Sequence, residues 1–147
     1  MRQSPTRGHY VHFETMTTRW RDNDVYAHMN NATYYEYVDT AVNGWLARSG
    51  ALDVPGGPVI GLVAETGCRF HAPLGFPAPV EAGLAVAHLG RSSVVYRVGL
   101  FAESVDAAAA DARFVHVYVD RDTRRPVPLP DRLRDALTGL LRMDWPD

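Results

Sequence analysis

The chain has 147 residues, a mass of 16.3 kDa, 46% hydrophobic and 22% charged residues, a composition that suits one globular domain and excludes a disordered or fibrous chain. Fifteen basic side chains, all arginine, against seventeen acidic ones give a formal charge of −2; this excludes a generally basic nucleic-acid binder and any lysine-based Schiff-base or P-loop chemistry. The lone Cys68 excludes an internal disulfide and a thiolate zinc cluster.

One domain over residues 1–147 is expected, with the polar residues 1–9, which contain Pro5 and Gly8, as a flexible tail. Tyr10–Trp20 mixes apolar and β-branched residues with polar ones and reads as a strand. Arg21–Asn31 (RDNDVYAHMNN) packs two carboxylates, three Asn and one His into eleven residues, which favours a turn. Asn30, Asn31 and Thr33 are candidate helix caps, and Thr33 with Glu36 has the capping-box spacing.

Tyr34, Tyr37, Val38, Ala41 and Trp45 recur at helical spacing, widened by Tyr35, Val42 and Leu46, and Gly50 ends the pattern. A helix over residues 31–48, apolar around much of its circumference, belongs inside the molecule. After the loop Leu52–Pro58 come four strand-like runs, Val59–Phe70, Val80–Leu89, Val94–Ala102 and about Ala110–Asp120, and a second amphipathic helix over Asp131–Arg142. Their short connections favour antiparallel neighbours. The order gives an α+β fold in which a five-stranded, largely antiparallel sheet wraps one long central helix, with a short C-terminal helix. A single sheet leaves edges and an outer face that need cover, which points to a homodimer or a homotetramer.

The polar loop ahead of the long helix is where chemistry concentrates. A helix start presents unpaired N–H groups and a partial positive charge, suited to an anion or a polarised carbonyl. Asp24 lies six or seven residues upstream, within reach if the loop folds back, and a carboxylate beside such an N–H can hydrolyse an activated acyl group. From the residues alone a second reading stays open, in which Asp22, Asp24 and the Asn residues only satisfy loop and cap geometry. No histidine pair has the spacing of a helical metal site, so no metal is expected.

Arg19–Tyr34 (RWRDNDVYAHMNNATY) resembles the signature of hotdog-fold acyl-CoA thioesterases of the 4-hydroxybenzoyl-CoA thioesterase type, roughly R-W-x-D-x-D-x-x-G-H-x-N-N-x-x-Y before a long helix. His71–Phe76 (HAPLGF), Gly90–Val94 (GRSSV), Phe114–Asp120 and Arg125–Pro128 are similar to later parts of that family. The resemblance spans about residues 10–140. It implies a hotdog fold and hydrolysis of an acyl-CoA or acyl-carrier-protein thioester to a free acid and a thiol, with coenzyme A present only as part of the substrate. It also implies that Asp24 is the catalytic carboxylate, as nucleophile or general base, and that the amide of Asn31 polarises the thioester carbonyl.

His28 would then assist proton transfer or hold the loop, and Tyr26 would border the acyl pocket. Arg91, with Ser92 and Ser93 on a hairpin turn, is the candidate grip for the coenzyme phosphates. Glu65, a carboxylate in an otherwise uncharged strand segment, either lines the site or pairs with an arginine such as Arg69 or Arg97. Ala27 departs from the family's glycine; if that position needs a positive φ, Ala costs about 1 kcal/mol. Hotdog hydratases use D-x-N-P-x-H, which the spacing here does not match, and a non-catalytic acyl-CoA-binding module would have no use for Asp24. No apolar run approaches the roughly 18–20 residues of a membrane span, and the start of the chain lacks the apolar core of a signal peptide. A cytoplasmic protein without membrane or nucleic-acid partners is expected.

Overall fold

The computed structural model describes residues 3–145. β1 (His12–Met16), α1 (Asn31–Ser49), β2 (Val59–Phe70), β3 (Val80–Leu89), β4 (Ser93–Ala102), β5 (Ala110–Asp120) and α2 (Asp131–Thr138) follow in chain order, with short 3-10 turns at Arg7–His9 and Trp20–Asp22. The five strands form one sheet in the order β1-β3-β4-β5-β2, and every neighbouring pair is antiparallel. The long helix lies across its inner face, which is the hotdog arrangement.

α1 forms where the apolar stripe predicts it. Asn30 is its cap: the side-chain Oδ1 accepts the Ala32 N–H at 2.9 Å, so the expected Thr33–Glu36 box is not used. Thr33 is buried inside the first turn, and Glu36 reaches out to Arg19 at 3.4 Å. At the other end Gly50 takes φ +73° and its N–H donates to Ala47 O, a left-handed stop that an L side chain resists.

Val38, Val42 and Leu46 are fully buried beneath Leu84, Val98 and Leu100, each side chain contributing about 1.5–3 kcal/mol of burial. α1 touches β3, β4 and β5; β2, at the sheet edge, is covered least. Residues 62–67 are exposed along it, with Val63 at 50% and Phe70 at 45%.

Three expected boundaries move. β1 is shorter than Tyr10–Trp20, because the chain turns at Trp20 to anchor Asp22. α2 stops at Thr138 rather than Arg142: beyond Gly139 the chain pairs with β3, Val86 N donating to Leu140 O and Arg142 N to Val86 O at 2.8 Å each. The tail thus occupies the edge of β3 that β1 leaves free. Residues 3–9, expected as a flexible tail, lie against the sheet. Arg7 N donates to Asp106 O at 3.1 Å, its guanidinium pairs with Glu81 at 2.9 Å, and Tyr10 is buried between Phe101 and Trp145. Part of the outer face is therefore covered from within the chain. None of the described helices is long and apolar enough to cross a membrane.

Candidate active site

The loop before α1 is folded back on itself and clamped at both ends. Asp22, 1% exposed, anchors the entry: Oδ2 accepts the Arg19 backbone N–H at 2.8 Å and the Tyr37 hydroxyl, Oδ1 accepts Arg19 Nε at 3.2 Å, and its carbonyl accepts the Asn30 N–H at 2.9 Å. Burial by itself would raise the Asp22 carboxyl, but the hydrogen bonds from Tyr37 and Arg19 and the nearby guanidinium outweigh it and hold the group below its ordinary range. The same environment pushes the Tyr37 phenol up to about 12, chiefly by burial and then by its bond to Asp22.

Within this frame Asp24 N donates to His28 O at 2.7 Å and Ala27 N to Asp24 O at 3.1 Å, while Asp24 Oδ1 accepts the Tyr26 N–H at 2.8 Å. Ala27 takes φ +63°, so the family's glycine position does demand the left-handed region here, and this chain places an alanine in it. Outside the loop, Met29 N donates to Leu74 O at 2.7 Å and Phe76 N to Asn23 Oδ1 at 3.0 Å, tying the hairpin to the segment after β2.

The result is an open cleft of about 430 Å³ lined by Asp24, Tyr26, His28, Met29 and Asn31 on one side and by Tyr34, Phe70, His71, Ala72 and Pro73 on the other. Asn31 is the first residue of α1, and its amide has no acceptor among the described residues. An exposed carboxylate and an unpaired amide at the positive end of a helix thus border one space. The floor is apolar: the Tyr34 and Phe70 rings meet edge to face at 4.9 Å, and Met29 is 3% exposed. Asp24, Asn31, His28 and Tyr26 are brought together as a group.

The other expected site residues are not in this cleft. Glu65 is exposed, pairs with Arg113 rather than Arg69 or Arg97, and borders a separate cavity of about 310 Å³ on the outer face with Arg69, Arg97 and Asp111. A bulge causes this: Val63 lies opposite His116 and Glu65 opposite Val115, so one extra residue turns Glu65 away from the helix side. Arg91 is exposed at the β3–β4 turn. Ser93 pairs with Val117, whereas Phe70 pairs with Ala110, so the turn and the cleft are separated by seven residues of β5, about 23 Å at the strand rise. Ser92 Oγ is buried without a partner among the described residues.

The structure adds a residue that local sequence did not single out. His71 lines the cleft, and its Nε2 lies 2.6 Å from Asp111 Oδ2. The two are forty positions apart in sequence, and only the register of β2 on β5 joins them. Among the described residues no His, Cys, Asp and Glu side chains are grouped as a metal would require.

The sequence profile of the thioesterase-like superfamily matches residues 18–137, and the chain belongs to that family. Among solved structures, the PA5185 protein of Pseudomonas aeruginosa is similar at 52% identity, with a TM-score of 0.91 over 94% of this chain and 96% of that one. The 1,4-dihydroxy-2-naphthoyl-CoA thioesterase Slr0204 of Synechocystis shares the fold at 17% identity, with a TM-score of 0.77 over 91% and 98% of the two chains. The gentisyl-coenzyme A thioesterase BH1999 shares it at 19% identity, with a TM-score of 0.75 over 86% and 99%. No curated protein matches the sequence.

Proposed function

We propose that this chain hydrolyses an acyl thioester of coenzyme A or of an acyl carrier protein to the free acid and the thiol. One observation carries the reading: the Asp24 carboxylate, fixed by the Tyr26 amide, borders the same cleft as the unpaired Asn31 amide at the start of α1. A thioester carbonyl accepting from that amide gains stabilisation as its oxygen becomes negative, since the charge develops at the positive end of the helix. Asp24 delivers the attack, by taking a proton from water or by adding to the carbonyl carbon itself. The acyl group meets Met29, Tyr34 and Phe70. The two thioesterases that share the fold are named for coenzyme A thioesters, the same reaction class.

The working unit is a homodimer or a pair of dimers. β2 presents an exposed edge carrying Leu62 and Val63, and such an edge is a template for a second strand. In one chain the Arg91 turn lies about 23 Å along β5 from the cleft, and its phosphate grip is assigned to the turn of a second copy.

Free-thiol release from a panel of acyl-CoAs tests the reading. Turnover by the wild type and a kcat lower by about 100-fold or more in Asp24→Asn is the expected result; undiminished turnover in that variant would remove Asp24 from the chemistry.

A further inference from the structure

His71 follows the last residue of β2, where its backbone N–H donates to Ala109 O at 2.8 Å and fixes the strand end against the start of β5. Its Nε2 lies 2.6 Å from one oxygen of Asp111, and Arg97 Nη2 donates to the other at 3.2 Å. Asp111 is 3% exposed and Arg97 9%. A carboxylate only accepts, so Nε2 carries a proton toward it. Nδ1 has no hydrogen-bond partner among the described residues, and His71 is one of the residues lining the cleft with Asp24 and Asn31.

Charge balance does not require this histidine, because Arg97 already neutralises Asp111. What the contact supplies is a fixed tautomer and a fixed ring plane, the arrangement by which a buried carboxylate prepares a histidine for proton transfer. His28, the histidine within the loop motif, borders the same cleft but its imidazole has no partner to orient it among the described residues.

We infer that His71 is the general acid that protonates the departing sulfur, with Asp111 as its positioning residue; this rests on the thioesterase reading. When the tetrahedral adduct collapses, the carbonyl re-forms and the C–S bond breaks, its electron pair leaving on sulfur. Nδ1, unprotonated in the tautomer that Asp111 fixes, first takes the proton lost by the attacking water, directly or by way of Asp24, and the sulfur then takes that proton from it. Giving up that proton returns the ring to its neutral Nε2–H form, so acyl thioester plus water gives carboxylic acid plus thiol with the protein unchanged.

Two thioesters with one acyl group test this, one of an alkyl thiol such as coenzyme A, the other of an aryl thiol acidic enough to leave as the thiolate. His71→Gln is expected to lower kcat about 100-fold on the alkyl ester, with the loss shrinking to within about tenfold on the aryl ester. Asp111→Asn should show the same dependence on the leaving group with a smaller loss. An equal loss on both esters, or none on either, overturns the role of His71 while leaving the hydrolase reading intact. Failure of the wild type to hydrolyse either ester sinks the hydrolase reading and this inference with it.

Discussion

The backbone N–H of Asp24 donates to the carbonyl of His28 at 2.7 Å, and this pairing sets the geometry of the cleft. It closes residues 24–28 into a small hairpin whose flanks are held by different parts of the fold. Asp22 binds the entry to α1 through Tyr37, and Met29 binds the exit to Leu74. A carboxylate on an exposed loop is thereby given a defined position relative to a helix start, which electrostatic stabilisation of a reacting carbonyl needs.

Ala27 strains that hairpin. At φ +63° an alanine Cβ is crowded by its own backbone, at a cost of about 1 kcal/mol or slightly more. Ala27→Gly should therefore raise the urea midpoint slightly, by an amount equivalent to at most about 0.6 kcal/mol, net of the extra freedom glycine gives the unfolded chain. Ala27→Val, β-branched, should lower it. A glycine variant that unfolds more easily than the wild type would show that the loop is not strained there.

The Tyr37–Asp22 bond should matter to both stability and turnover. Tyr37→Phe removes a donor from a carboxylate that is 1% exposed, so a destabilisation of about 1–3 kcal/mol is expected. Because Asp22 anchors the hairpin, kcat/KM for thioester hydrolysis should fall as well, with Asp24 still present. Denaturant titration and steady-state kinetics on the same preparation check this; a variant as stable and as active as the wild type would assign the loop's position to other contacts.

Acid should weaken the core through His116. This imidazole is 1% exposed, with Nδ1 3.0 Å from the Tyr118 hydroxyl, which is in turn 2.7 Å from that of Tyr96. Burial lowers its pKa from 6.5 to about 4. The folded state resists the proton that the unfolded chain accepts, so stability is full above pH 6.5 and declines as pH falls toward 4, by about 3 kcal/mol over the window. Asp22 and Asp120, both held below their ordinary value of 3.8, add their losses only at lower pH. His116→Gln should flatten the slope between pH 6.5 and 4; an unaltered slope would place its origin elsewhere.

The open edge of β2 predicts association. Light scattering should give at least twice the 16.3 kDa of the chain, and Val63→Glu, which adds charge on that edge, should shift the distribution toward monomer. A monomeric wild type at micromolar concentration would leave the edge without this role.

By itself the sequence determined the order of the elements, the buried stripe of α1, and the placement of Asp24, His28 and Asn31 around the start of that helix. These follow from contacts between residues a few positions apart, where helical periodicity, strand alternation and loop chemistry leave direct marks. Even locally the marks compete: three capping candidates were legible, and the one adopted is Asn30.

Tertiary structure decided what depends on register. One bulged residue between Val63 and Glu65 turned Glu65 to the outer face, and strand length put Arg91 at the end of the sheet away from the cleft. The register of β2 on β5 brought His71 to Asp111. A side chain's face reverses with each single-residue slip, and a partner forty positions away imposes no local pattern, so these placements exist only once the sheet has formed.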